Sequence, residues 1–155
     1  MANNQRGKRK KQNLKLPLTN YEQIRSEFPF VLDIRDGDQS GMASSQSVIR
    51  KTILLDDGTK ILATEHIKDE KIAWFYYDYI DSNGLTLVKF HSESHDDGKK
   101  ESKKYQTRTE PYHIHPSELK SLSNLSRFPN FDHRSLRSVV ESLLIYRLIN
   151  ESKKS

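Results

Sequence analysis

The sequence contains no cysteine, and it has no long run of apolar residues. Without cysteine the chain can form neither a disulfide nor a thiolate metal site, so the fold must rest on its core. No apolar stretch reaches the roughly 20 residues that span a bilayer, and the basic N-terminus lacks the hydrophobic segment of a secretion signal. We therefore expect a soluble, cytoplasmic protein that does not enter a membrane.

The chain is also poor in apolar residues, at 34% of 155 residues, and its net charge of +5 is unevenly placed. Residues 1–15 carry six basic and no acidic side chains, whereas the remainder carries 20 basic side chains against 21 acidic ones. The basic residues proposed for contacts with nucleic acid are Arg6, Lys8, Arg9, Lys10 and Lys11. We expect 1–15 to be a disordered tail that binds nucleic acid or simply aids solubility, 16–151 to be a single domain, and 152–155 to fray.

Alternating apolar and polar residues predict strands in the middle of the chain. Four such segments are 48–55, 59–67, 72–81 and 85–91. Asp57-Gly58 separates the first two and Asn83-Gly84 the last two, and both dipeptides favour tight hairpin turns. The fold class is therefore predicted to be α+β, with an antiparallel sheet of about five strands built from two hairpins and a C-terminal helix packed on one face.

The Asn83-Gly84 turn sets the register of the second hairpin if these are its two loop residues. One face is then buried and pairs Tyr79 with Val88 and Tyr77 with Phe90. The pairs predicted for the other face are Ile80 with Leu87, Asp78 with Lys89, and Tyr76 with His91.

Helices are predicted on both sides of the hairpins. Thr19 and Glu22 form a capping box for a short helix that ends before Pro29, and a brief strand follows at 30–34. A second short helix is predicted at 117–125, and Asp132 is the expected N-cap of the last helix. The apolar stripe of that last helix is predicted to contain Leu136, Val139, Val140, Leu143, Leu144, Ile145, Tyr146 and Ile149.

Four of the six histidines lie between Val88 and Pro116, around a lysine-rich segment. His113 and His115 are two residues apart, so they project to the same side of an extended chain. If 105–115, which Pro111 limits to an edge or an irregular segment, returns beside 85–91, these rings meet His91.

Imidazoles beside cations can cleave RNA without a metal or another cofactor. One ring would take the proton of a ribose 2′-hydroxyl, and another would protonate the leaving oxygen. The predicted catalytic residues are His95, His113 and His115. The predicted substrate-binding residues are Lys89, His91, Tyr76, Arg108 and Tyr112, of which Lys89 or Arg108 would stabilise the charged phosphorane. Two alternatives remain open: histidines without a role on surface loops, and a His-x-His metal site with a third imidazole.

The order of these motifs resembles the TumE-type toxin family of prokaryotic toxin–antitoxin systems. The resemblance runs from the Asp57-Gly58 hairpin through the tyrosine-rich strand 76–79 to His91, His95 and the segment Pro111-Tyr112-His113-Ile114-His115. In the family's pattern, Lys89 stands at an arginine position, His91 at an aspartate position and Tyr112 at a histidine position. His95, His113 and His115 match histidines of the family's motifs.

The resemblance implies a growth-inhibiting toxin controlled by a cognate antitoxin protein. The histidines and cations add the expectation that this toxin acts on RNA as a metal-independent endoribonuclease. The alternative is a non-catalytic module that binds nucleic acid or protein and owes its affinity to the basic tail. An exposed strand edge or the last helix could also support a homodimer.

Overall fold

The computed structural model describes residues 13–93, 106–117 and 127–153. In chain order the elements are α1 (Tyr21–Glu27), β1 (Val31–Asp36), β2 (Val48–Leu55), β3 (Lys60–Lys68), β4 (Lys71–Ile80), β5 (Thr86–His91), β6 (His113–His115), β7 (Phe128–Pro129) and α2 (Leu136–Ser152). The strands form one antiparallel sheet in the order in which they follow each other in the chain. The α+β class and the C-terminal helix are confirmed, but the described residues form seven strands instead of the expected five. β6 lies within the extended segment 105–115 that was expected beside 85–91, whereas β7 has only two residues and shows no alternation.

Both predicted hairpins are present, and Gly58 and Gly84 adopt φ angles of +84° and +85° in their turns. Within the second hairpin, four of the five predicted pairs are confirmed, on both faces. The pair Ile80–Leu87 is wrong, since a register shift after Tyr79 places Ile80 opposite Thr86. The Asp81 amide donates to the Leu85 carbonyl, so the loop has three residues instead of the expected two. The register shift offsets this extra residue, and the pairs farther along the strands therefore match the prediction.

β6 lies in the interior of the sheet. Residues 106–112 are irregular, in keeping with Pro111, and β6 begins at His113. β6 pairs with β5 on one side and with β7 on the other, so it is not an edge strand. The edge position falls to β7, which contains Pro129.

The core lies between α1, α2 and the sheet face that carries Phe75, Tyr77 and Phe90.

Ser135, not Asp132, is the N-cap of α2, because its side chain accepts from the Ser138 amide in a capping box. The buried residues of α2 are Leu136, Val139, Val140 and Leu143, with the i, i+3, i+4, i+7 spacing of one helical face.

The predicted apolar stripe of α2 is too long. Ile145, Tyr146 and Ile149 are exposed, so only the first half of the helix packs on the core. Farther along, Arg147 contacts Asp56 and lies 2.7 Å from a carboxylate oxygen of Asp57. The second half of α2 is thus held by polar contacts to the β2–β3 turn.

The N-terminal segment joins the sheet earlier than predicted. The Leu14 amide donates to the Ala73 carbonyl over 3.0 Å, and Leu16 bridges to Ile72, so the ordered chain includes part of the predicted tail 1–15. Asn20 caps α1 by accepting from the Gln23 amide at 3.1 Å. The predicted capping role of Thr19 is wrong, because its hydroxyl donates to Glu65 instead.

Glu65 is a fully buried carboxylate on the core side of β3. It accepts hydrogen bonds from the hydroxyl groups of Thr19, Tyr21 and Tyr77, the last at 2.6 Å. Burying a charge is unfavourable unless hydrogen bonds replace its hydration. Here three hydroxyls do so, and two of them tie the start of the chain to the sheet.

Alkaline pH is expected to destabilise the fold through the tyrosines that bind Glu65. Burial, then the charge of Glu65 and its hydrogen bond, raise the pKa of both Tyr21 and Tyr77 above the ordinary value of 10.0. The stabilisation is complete below pH 10 and decreases as the pH rises further, because the unfolded chain then loses protons that the folded chain retains. Urea unfolding at a series of pH values checks this expectation, and Tyr21→Phe should show a shallower alkaline loss. A stability that does not change above pH 10 would contradict it.

Two segments with sequence predictions lie largely or wholly outside the described residues: the polar loop 95–104 and the helix at 117–125. Within the described ranges, no helix combines the length and apolar character needed to cross a membrane.

Candidate functional site: a three-histidine cluster

The β5–β6 pair brings three histidines together on the sheet face opposite the core. His91 lies directly opposite His113, and Lys89 lies opposite His115. One ring nitrogen from each of His91, His113 and His115 lies within 4.8 Å of the others. The predicted convergence of β5 with the His-x-His segment is therefore present.

The rings meet edge to face. Ring centroids are 4.8 Å apart for His113 and His115, 5.0 Å for His91 and His115, and 6.0 Å for His91 and His113. His113 is completely buried and His115 is 8% exposed, whereas His91 is partly accessible. Solvent therefore reaches the histidine cluster mainly from the side of His91.

Carboxylates and a carbonyl orient two of the rings from outside. Nε2 of His91 lies 2.8 Å from a carboxylate oxygen of Asp78. Nδ1 of His113 lies 2.9 Å from the Pro111 carbonyl oxygen and 3.2 Å from Glu110. Since a carbonyl oxygen can only accept, Nδ1 of His113 carries the hydrogen, and in the neutral ring the lone pair is on Nε2.

Glu110 is itself held in place. Burial favours its neutral form, but the hydrogen bonds to His113 and to the Thr107 amide, together with the charge of Arg127, hold the pKa of its carboxyl below the usual value. The Arg127 guanidinium lies 3.2 Å from a Glu110 oxygen. The charged carboxylate therefore connects β6 to the residue that precedes β7.

Tyr76 borders the histidine cluster on β4. Its ring meets that of His91 edge to face at 4.8 Å, and its hydroxyl donates to Glu93. Burial, then the hydrogen bond to Glu93, raise the pKa of Tyr76 above the ordinary tyrosine value. Tyr76 is therefore a neutral hydrogen-bonding group near neutral pH.

The other predicted site residues are spread more widely. Lys89 shares the face of the cluster by register. Arg108 is exposed, with its guanidinium 5.6 Å from the centre of the Phe131 ring. Tyr112 packs against the core, 6.2 Å from Phe75, and so lies on the opposite side of the sheet from the three rings. His95 and the five tail residues Arg6, Lys8, Arg9, Lys10 and Lys11 lie outside the described residues.

Sequence reasoning missed the residues that orient the rings. Asp78 was expected to pair with Lys89; it does so by register, but its carboxylate also binds His91. Glu110 gave one usable signal, because it precedes the histidine pair by three residues in a proline-containing turn. Glu93 could not be assigned to Tyr76, since it follows the last predicted pair of the hairpin.

The geometry permits two kinds of chemistry. Imidazoles oriented by carboxylates can act as general bases and acids, and three imidazole nitrogens on one side of a small space can hold a transition metal.

No protein-family model matches the chain, and neither the curated proteins nor the solved structures yield a match.

Proposed function

We propose that this protein is the toxin component of a toxin–antitoxin pair and cleaves RNA, with His91, His113 and His115 as its reaction centre. The observation that carries the proposal is the convergence of the three ring nitrogens within 4.8 Å, from two adjacent strands. The resemblance to the TumE-type family supplies the biological setting, in which a cognate antitoxin restrains the activity.

The surroundings of the cluster suit a phosphodiester substrate. Lys89 supplies a positive charge on the same face, and Tyr76 supplies a ring and a neutral hydroxyl near the accessible side. An ammonium group stabilises the charge that develops on phosphate during cleavage, and an aromatic ring can stack on an unpaired base. RNA is favoured over DNA because its 2′-hydroxyl is an internal nucleophile.

His91 takes a chemical role in this proposal. The sequence placed it among the substrate-binding residues, but its ring lies between Tyr76 and the buried pair, with Asp78 on Nε2. A carboxylate that fixes the tautomer of an imidazole is the arrangement found in many general bases. In the metal-independent form of the mechanism, His91 is therefore the ring best placed to accept the 2′-hydroxyl proton.

The first test is cleavage of labelled total RNA by purified, untagged protein, followed on denaturing gels. We expect discrete fragments whose yield grows with time and protein concentration. The variant lacking residues 2–12 should keep this turnover at raised RNA concentration, because the chemistry belongs to the cluster and the basic tail affects only binding. Absence of cleavage by the folded full-length protein would contradict the proposal, and RNA binding without cleavage would favour the binding module.

Growth gives an independent readout. Induced expression of the wild-type chain should arrest growth, and co-expression of a protein encoded beside it should relieve the arrest. Normal growth at a verified level of folded protein would contradict the toxin assignment even if RNA were cleaved in vitro.

A further inference from the structure

We propose that His91, His113 and His115 form a binding site for one divalent transition metal, with zinc as the best-matched ion. Metal binding stands on the geometry alone, whereas its use in RNA cleavage rests on the function proposed above. At such a site the metal ion acts on the substrate, and the two buried rings do not have to transfer protons to it.

Distances favour coordination. Tetrahedral zinc holds imidazole nitrogens at about 2.0–2.1 Å, which places any two of them about 3.3–3.5 Å apart. The three ring nitrogens already lie within 4.8 Å of one another. Closing the remaining distance needs ring rotations on a backbone that the β5–β6 pairing has already fixed.

The hydrogen bonds around the rings are those of metal ligands. In metal sites, histidines commonly direct their second nitrogen at a carboxylate or a backbone carbonyl, which fixes the tautomer and the ring plane. His91 has Asp78 in that position, and His113 has the Pro111 carbonyl together with Glu110. We assign coordination to Nδ1 of His91 and Nε2 of His113, the ring nitrogens other than those in these contacts.

Burial argues against direct acid–base chemistry by the same rings. A general acid or base must come within hydrogen-bonding distance of the substrate, yet His113 is fully buried and His115 nearly so. A metal ion removes this difficulty, because buried rings hold the ion and only the ion has to contact the phosphate. The more accessible His91 then marks the side from which substrate approaches.

The ligand set selects the class of ion. Three neutral imidazoles suit zinc and its neighbours in the transition series, whereas magnesium and calcium require oxygen ligands. Three protein ligands also match catalytic zinc sites, which keep one position open. When bound, the ion supplies a Lewis acid that polarises a phosphoryl oxygen.

Metal content tests this inference directly. Untagged protein is stripped with a chelator, dialysed against zinc and measured by elemental analysis, and cobalt is titrated into the stripped protein. We expect one equivalent of zinc per chain and the intense visible absorption of tetrahedral cobalt. His91→Gln should lose both signals, while His66→Gln, a matched change on the same sheet face outside the cluster, should keep them. Failure of the wild-type protein to retain zinc, or equal retention by His91→Gln, would overturn the inference.

A second variant guards against misfolding of the first. Asp78→Asn leaves all three ligands in place but weakens the orienting contact to His91, so the zinc dissociation constant should rise about 10- to 100-fold. An unchanged dissociation constant in folded Asp78→Asn would argue against the ligand assignment.

The two proposals fail in distinguishable ways. Zinc binding in the expected stoichiometry without RNA cleavage would contradict the proposed function but support the metal site. If metal-free protein cleaves RNA and EDTA does not reduce the rate, the metal-site inference is contradicted and the metal-independent mechanism is supported.

Discussion

The double variant His113→Gln/His115→Gln is expected to cleave RNA at least about a thousand-fold more slowly than the wild type. It removes two of the three rings in the proposed reaction centre, whether those rings move protons or hold a metal. Glutamine keeps much of the volume and polarity of each buried side chain, so the sheet should survive the change. The measurement is a single-turnover cleavage rate with protein in excess over labelled RNA.

His66→Gln provides the matched control. His66 lies on the same sheet face outside the histidine cluster; it stacks on Trp74 at 4.5 Å and meets the Tyr76 ring edge to face at 6.0 Å. Circular dichroism and the urea midpoint establish that each variant is folded before its rate is interpreted. A folded double variant that cleaves within tenfold of the wild-type rate would show that the reaction centre lies elsewhere.

Replacing Glu65 by leucine is expected to lower the free energy of unfolding by about 3 kcal/mol, which corresponds to roughly 10 °C in melting temperature. The change leaves the hydroxyls of Thr19, Tyr21 and Tyr77 without their shared acceptor, and leucine cannot accept a hydrogen bond. The N-terminal segment would lose two of its side-chain ties to the sheet. Urea denaturation near neutral pH measures the difference.

Glu65→Gln is the graded comparison, because it keeps one carbonyl oxygen as an acceptor in nearly the same volume. We expect its loss of stability to lie between those of the wild type and Glu65→Leu. The alkaline loss of stability should also shrink in both variants, since the charge that helps to raise the tyrosine pKa values is gone. A leucine variant as stable as the wild type would refute the role assigned to this carboxylate.

The hairpins were predictable because their signals are local. The Asn83-Gly84 signal located the turn, and the predicted pair of Tyr76 with His91 is observed because the bulge after Tyr79 offsets one extra residue in the loop. The bulge after Tyr79 could not be predicted, because its position depends on how the strand ends twist and not on any special residue. The two-residue strand β7 carries no pattern of its own.

The sequence predicted only part of the histidine cluster. Period-two geometry predicted that His113 and His115 share a face, and the resemblance drew attention to the same segment. Burial of these rings could not be foreseen, because apolar surroundings are expected for leucine and not for histidine. Glu65 carried a signal that was not used: it continues the alternation of Ile61 and Ala63, and a carboxylate at such a position needs buried donors.

The strands pair in the order in which they are synthesised, so the histidine cluster forms late during synthesis. Each strand pairs with the strand made just before it, so the sheet can grow from the N-terminal side during synthesis, and its longest connection, 92–112, lies between β5 and β6. His91 remains an isolated ring until β6 has been synthesised and has docked beside it. The proposed activity is consequently absent from a nascent chain until β6 has emerged and docked, and a partner can engage the chain during that interval of translation.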